Sequence, residues 1–216
     1  MPTLSLNALA REFADYQLAL SRPQLSLVRS YLELLLRWNR RLRLTGLRDA
    51  RRIVRELFCE SVYLTHVLPL EGQLVDIGTG AGFPGLALKL VVPQLHAVLI
   101  EANQRKCAFL KEAIRHLQLA EVTVFGGRFE EFVAQHRAGA DIVTTRAVAI
   151  ERPLLLGVSW VLREGGRLAA FTTRRLAPPR AGLGPGSGLE WVREVPVPHS
   201  RQRLILVGRK PAAGGR

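Results

Sequence analysis

The sequence predicts an α/β fold: a mostly parallel seven-stranded sheet with an antiparallel edge hairpin, preceded by an N-terminal helical segment. Three observations predict it. From Gln73 onward, short apolar runs alternate with stretches of helical spacing, the pattern of an open parallel sheet covered on both faces. The last two apolar runs, near 189–195 and 203–208, are joined by residues 196–202 alone. No crossover helix of usual length fits there, so the two runs should pair as a hairpin. Before Gln73, in contrast, the spacing is helical throughout.

In chain order, Leu25, Val28, Leu32 and Leu35 lie on one helix face, with Ser21 as a cap and Pro23 in the first turn. Ile53, Leu57, Val62 and Leu64 mark another helix after Asp49. Strands are predicted near 73–77, 96–101, 122–125, 141–145, 167–172, 189–195 and 203–208. Helices are predicted near 83–92, 103–118, 129–136 and 150–162. Ala177 to Gly188, rich in Pro and Gly, reads as a loop. The organisation expected is a helical cap over residues 1–70, a core over 71–210 and a flexible tail over 211–216.

The stretch from Val75 to Gly85 reads as a buried strand, a glycine turn and a helix start. Glycines there let the backbone approach a nucleotide-like ligand closely. Glu101 ends the next apolar run, where an acid can accept hydrogen bonds from both hydroxyls of a ribose. Two cofactors compete. Gly80, Gly82 and Gly85 match the dinucleotide pattern G-x-G-x-x-G. Asp76, Gly78, Gly80 and Gly82 match D-x-G-x-G-x-G, which resembles motif I of the class I methyltransferases that bind S-adenosylmethionine. Asp76 favours the second pattern, because an acid in the turn would repel a pyrophosphate but not S-adenosylmethionine.

The chain has 216 residues, 48% of them hydrophobic, which suits one substantial core. No apolar run is long enough to cross a bilayer, and residues 1–11 lack the pattern of a secretory signal. The two cysteines, Cys59 and Cys107, read as reduced thiols of a cytoplasmic protein. A net charge of +13 favours a polyanionic partner. Arg37, Arg40, Arg41, Arg43, Arg48, Arg51, Arg52 and Arg55 crowd one segment, where RNA contact is expected. Trp38 lies among them, either as a stacking face or packed in the core. A monomer is the favoured state. His66, His96, His116, His136 and His199 show no ligand spacing, so no metal site is expected.

Several segments together resemble one family. They are Arg37-Trp38-Asn39 with Leu44-Thr45, Val75 to Gly85, Arg105 to Leu110, Arg128 to Phe132, and Thr145-Arg146-Ala147-Val148-Ala149. The sequence is similar here to the RsmG (GidB) family, bacterial 16S ribosomal RNA guanine-N7 methyltransferases. The resemblance implies a class I, Rossmann-like methyltransferase core and methyl transfer from S-adenosylmethionine to guanine N7 in small-subunit RNA. It places Gly78 and Phe83 at the methionine end of the cofactor, Phe129 and Glu130 beside the adenine, and Arg146 beside cofactor and incoming base. Glu101 stands where the family usually has an aspartate, and Cys59-Glu60-Ser61 where an aspartate-serine pair is usual.

Guanine N7 carries a free lone pair, so its methylation needs alignment and desolvation more than a general base. Arg146 is the candidate catalytic residue, holding guanine O6 or a phosphate in line. Two other readings stand beside this one. An NAD-dependent oxidoreductase would use the same glycines, although no catalytic proton donor is identifiable. A non-catalytic RNA-binding module would keep the fold without cofactor affinity.

Overall fold

The computed structural model describes residues 4–137, 139–146, 148–177 and 185–212. The N-terminal segment is helical, as expected. It comprises α1 (Leu6–Asp15), α2 (Arg22–Leu42) and α3 (Ala50–Ile53). α3 runs on through a π-helical turn, Val54–Cys59, into α4 (Glu60–Val62) and a 3-10 turn, Tyr63–His66. Ser21 caps α2 reciprocally: its hydroxyl accepts from the Gln24 amide at 3.4 Å, and the Gln24 side chain accepts from the Ser21 amide at 2.8 Å. Such caps contribute about 1 kcal/mol each.

The remaining elements are β1 (Gln73–Ile77), α5 (Gly85–Val91), β2 (His96–Ile100), α6 (Gln104–His116), β3 (Val122–Phe125) and α7 (Phe129–Gln135). Then come β4 (Ala140–Arg146), α8 (Arg152–Val161), β5 (Leu162–Thr173), β6 (Glu190–Pro196) and β7 (Arg203–Arg209). They form one seven-stranded sheet in the order β3-β2-β1-β4-β5-β7-β6. β7 pairs antiparallel with both β5 and β6, and the other pairs are parallel.

β5 starts earlier than the apolar run near 167–172 suggests. Leu162 already pairs with Ala140, and the register then shifts before Ile142 meets Arg167. Gly165, at φ 74, makes that irregularity possible. The loop expected over 177–188 lies mostly outside the described residues, although Pro185–Ser187 forms a 3-10 turn. The tail from residue 213 lies outside them too.

The alternation of β1 sorts the core. Leu74 joins the cluster that holds Phe13, Leu32, Phe58, Leu86 and Phe109, beneath α1, α2, α5 and α6. Val75 and Ile77 face the other way, into a cluster with Phe132, Leu155 and Val158 from α7 and α8. The N-terminal helices therefore share their core with the sheet. Among the described residues no helix is long and apolar enough to cross a membrane.

Candidate active site

The chain leaves β3 at one edge and returns as β4 on the far side of β1, so neighbouring connections diverge between β1 and β4. A crevice at the carboxyl ends follows from that reversal. Register decides what meets there. Ile77 lies level with Ile100 on β2 and Thr145 on β4. The next residues, Gly78 and Glu101, and the last residue of β4, Arg146, therefore emerge side by side.

The turn after β1 uses three left-handed glycines, with φ 64 at Gly78, 59 at Gly80 and 84 at Gly82. Their surroundings differ. A Cβ on Gly82 would collide with the Tyr31 hydroxyl and Leu86, and one on Gly78 would lie 2.9 Å from Val148 Cγ2. A Cβ on Gly80 would meet nothing nearer than a backbone oxygen at 3.8 Å. Gly82 thus serves packing, whereas Gly80 presents bare backbone to open space. Its amide donates to Glu101 Oε2 at 3.0 Å, while Glu101 Oε1 accepts from the Asn103 amide at 2.8 Å. Each carboxylate oxygen keeps a second lone pair for a hydroxyl donor. Glu101 thus ties the glycine turn to the start of α6.

Asp76 is completely buried, on the α5 face of β1. Its Oδ2 accepts from the Gly85 amide at 2.9 Å and its Oδ1 from the Thr144 hydroxyl at 2.8 Å. Burial pushes its carboxyl up to about 6, against the pull of those donors. Both of its oxygens therefore already have protein donors. The carboxylate also occupies the first amide of α5, where a dinucleotide pyrophosphate would sit.

Arg146 ends β4 over a buried ionic cluster. One guanidinium nitrogen, Nη2, donates to Glu60 Oε2 at 2.9 Å and to the Glu56 carbonyl at 2.5 Å. Arg203, from β7, bridges the same two acids at 2.9 Å each. Glu60 is 1% exposed and the Arg146 side chain 17%. Burial pushes the Glu60 carboxyl up and the Arg146 guanidinium down, and their mutual attraction opposes both shifts. Arg146 Nη1 is buried and has no hydrogen-bond partner among the described residues. Above the cluster a cleft of about 680 Å³ opens at the ends of β4 and β5, lined in part by Val148, Phe171, Thr173, Arg175 and Leu176. Phe171 lies under Arg146, with the guanidinium carbon 5.8 Å from its ring centre.

Phe83 is 4% exposed, stacked on Tyr31 at 5.6 Å and edge-on to Phe58 at 4.8 Å, so its ring belongs to the core while its backbone belongs to the turn. Phe129 is buried against α8, whereas Glu130 is exposed in the first turn of α7. Trp38 is half-buried and packs edge-on against Phe109 at 5.7 Å, which places it at the margin of the core. Among the described residues no group of three metal-ligating side chains gathers.

Sequence reasoning missed Tyr31, Glu60 and Arg203 as site residues. Tyr31 is fully buried and donates its hydroxyl hydrogen to the Ala81 carbonyl inside the glycine turn. Glu60, between Cys59 and Ser61, carried one signal: an acid on a helix position that the structure buries.

The family model for rRNA small subunit methyltransferase G (GidB) matches residues 24–176. The ribosomal RNA small subunit methyltransferase G of Halorhodospira halophila is 35% identical over 200 residues, covering 92% of this chain and 93% of that protein. The protein of the same name from Roseiflexus castenholzii is 35% identical over 218 residues, covering 95% and 92%. A solved SAM-dependent methyltransferase from Aquifex aeolicus shares the fold, with TM-score 0.62, 21% identity and coverage of 78% and 97%. With the family model covering most of the chain and full-length relatives at this identity, the chain belongs to the rRNA small subunit methyltransferase G (GidB) family.

Proposed function

We propose that this protein transfers the methyl group of S-adenosylmethionine to N7 of a guanine in the 16S RNA of the small ribosomal subunit, acting in the cytoplasm as a monomer. The observation that carries the reading is one juxtaposition: the open Gly80 turn held by Glu101 on one side of the β1 end, and the Arg146 cleft on the other. Family membership supports the substrate class, since the relatives' names specify ribosomal RNA of the small subunit.

The residues fit this cofactor. Gly80 leaves room for close approach, and Glu101 keeps lone pairs for ribose hydroxyls. The acid at the start of α5 disfavours a phosphate, which argues against the NAD-dependent reading. The cofactor supplies an electrophilic methyl group on a sulfonium. In this reading Gly78, Gly80, Gly82 and Phe83 shape the turn around its methionine end. Phe129 and Glu130 flank its adenine, and Asp76 acts through the turn that it holds in place.

Guanine N7 needs no deprotonation, so the protein's task is to orient the base and exclude water. Arg146 approaches O6 or a phosphate, but it cannot grip O6 and N7 together, because N7 must keep its lone pair for the methyl group. Glu60 and Glu56 hold the guanidinium from below. Residues 1–70 cap the core over 71–210 and add Tyr31 to the turn.

Labelled S-adenosylmethionine incubated with small subunits from a strain lacking this protein tests the proposal. Reduction and aniline cleavage then locate N7-methylguanine. Label at one guanine, lost with Arg146→Lys, is the expected result. Cofactor binding without transfer to subunits or naked RNA would overturn the acceptor.

A further inference from the structure

Positive charge concentrates where α2 ends. Arg37, Arg40, Arg43 and Arg48 surround an open cleft of about 1010 Å³. Arg40, Arg43 and Arg48 are exposed and have no ion-pair partner among the described residues. The next three arginines in sequence are placed differently. Arg51 pairs with Glu12 at 2.8 Å, Arg52 with Glu56 at 2.9 Å, and Arg55 with Glu12 at 2.8 Å and Asp15 at 2.9 Å. Tertiary structure therefore divides one sequence cluster into a free set and a neutralised set.

Arg40 lies in the last turn of α2, and Arg43 and Arg48 flank a loop pinned to that helix. Asn39 donates from its amide nitrogen to the Leu47 carbonyl at 2.9 Å and accepts from the Thr45 amide at 2.9 Å. Thr45 in turn accepts from the Leu47 amide at 3.2 Å. A side chain presented from a pinned loop loses less freedom on binding.

The cleft also lies on the reactive edge. Ser30 meets His116, the last residue of α6, at 3.0 Å, whereas Trp38 meets Phe109 in its first half. α2 therefore runs antiparallel to α6. At about 1.5 Å per residue, its last turn comes level with the start of α6, just after Glu101. Arg105, exposed in the first turn of α6, continues the positive band. Among the described residues, Leu36 is the one large apolar side chain lining the cleft, and Glu33 its one acid. A protein partner would need an apolar centre, whereas a phosphate backbone needs only charge.

We propose that Arg40, Arg43 and Arg48 grip the phosphate backbone of the RNA beside the methylated guanine, and that Arg51, Arg52 and Arg55 do not. This rests on the function proposed above. The test is fluorescence anisotropy with a labelled fragment of 16S ribosomal RNA, titrated at several salt concentrations, with cofactor affinity measured in parallel. The variants are the triple Arg40→Ala/Arg43→Ala/Arg48→Ala, its triple lysine counterpart, and Arg51→Ala/Arg52→Ala. The alanine triple should lower the slope of log affinity against log salt by about 2 and weaken binding roughly tenfold or more. The lysine triple should restore most of the slope, since charge suffices for a phosphate. Arg51→Ala/Arg52→Ala should leave the slope unchanged. RNA binding by the parent that the alanine triple does not weaken overturns this assignment alone. A parent that binds cofactor but neither the fragment nor the small ribosomal subunit overturns the proposed acceptor as well.

Discussion

Glu60 on α4 and Arg146 on β4, 86 residues apart in sequence, meet at 2.9 Å beneath the cleft. Replacing the acid tests whether that contact positions the guanidinium. Glu60→Gln keeps the shape and removes the charge, leaving Arg203 with the Glu56 carboxylate and Arg146 with only the Glu56 backbone carbonyl and a neutral amide. Removing one partner of a buried pair costs about 3–5 kcal/mol. Single-turnover transfer should fall by roughly 10²-fold through misplacement of Arg146, while cofactor affinity holds. Equal losses in both would reduce Glu60 to a stabilising residue.

Tyr31 links α2 to the glycine turn through the Ala81 carbonyl. Tyr31→Phe should lower stability by about 1–3 kcal/mol, because a buried acceptor loses its donor. Cofactor affinity by calorimetry should drop with it, since the turn loses a brace. An unchanged affinity would show that the turn holds its shape without Tyr31.

Gly80 and Gly82 share a left-handed backbone but not a neighbourhood. Gly82→Ala should destabilise the fold strongly, because its Cβ meets Tyr31 and Leu86. Gly80→Ala should cost about 1–2 kcal/mol of backbone strain and chiefly abolish cofactor binding. Thermal melts beside calorimetry separate the two outcomes. Equal melting temperatures for the pair would contradict the packing role of Gly82.

Asp76 makes a pH prediction. Its carboxyl rises from 3.8 to about 6 on folding, so between those values the folded state binds more protons than the unfolded one. Stability contributed by this group is present below pH 4 and lost as pH rises through 6. Asp76→Asn can accept from the Gly85 amide and donate to the Thr144 hydroxyl, so it should fold. Relative to it, the parent should lose about 2 kcal/mol between pH 4 and 7 in urea unfolding. A constant difference across that range would mean that Asp76 ionises in the folded protein as it does in water.

The sequence by itself determined the sheet, because apolar alternation and glycine placement are local signals that each element carries alone. All seven strands and the edge hairpin follow from them, as do the α2 cap at Ser21 and the turn at Gly78 to Gly82. Strand order then forces Gly78, Glu101 and Arg146 onto one edge. What the tertiary structure alone decided is partnership. Whether an arginine is free or neutralised depends on acids distant in sequence, so Arg48 and Arg51 look alike in the chain and differ in the fold. Trp38 likewise packs against the core, and Tyr31 braces the turn, only once α2 lies across α5 and α6. The physical reason is range. Propensity and periodicity act over a few residues, whereas burial and charge pairing depend on segments that meet only after folding.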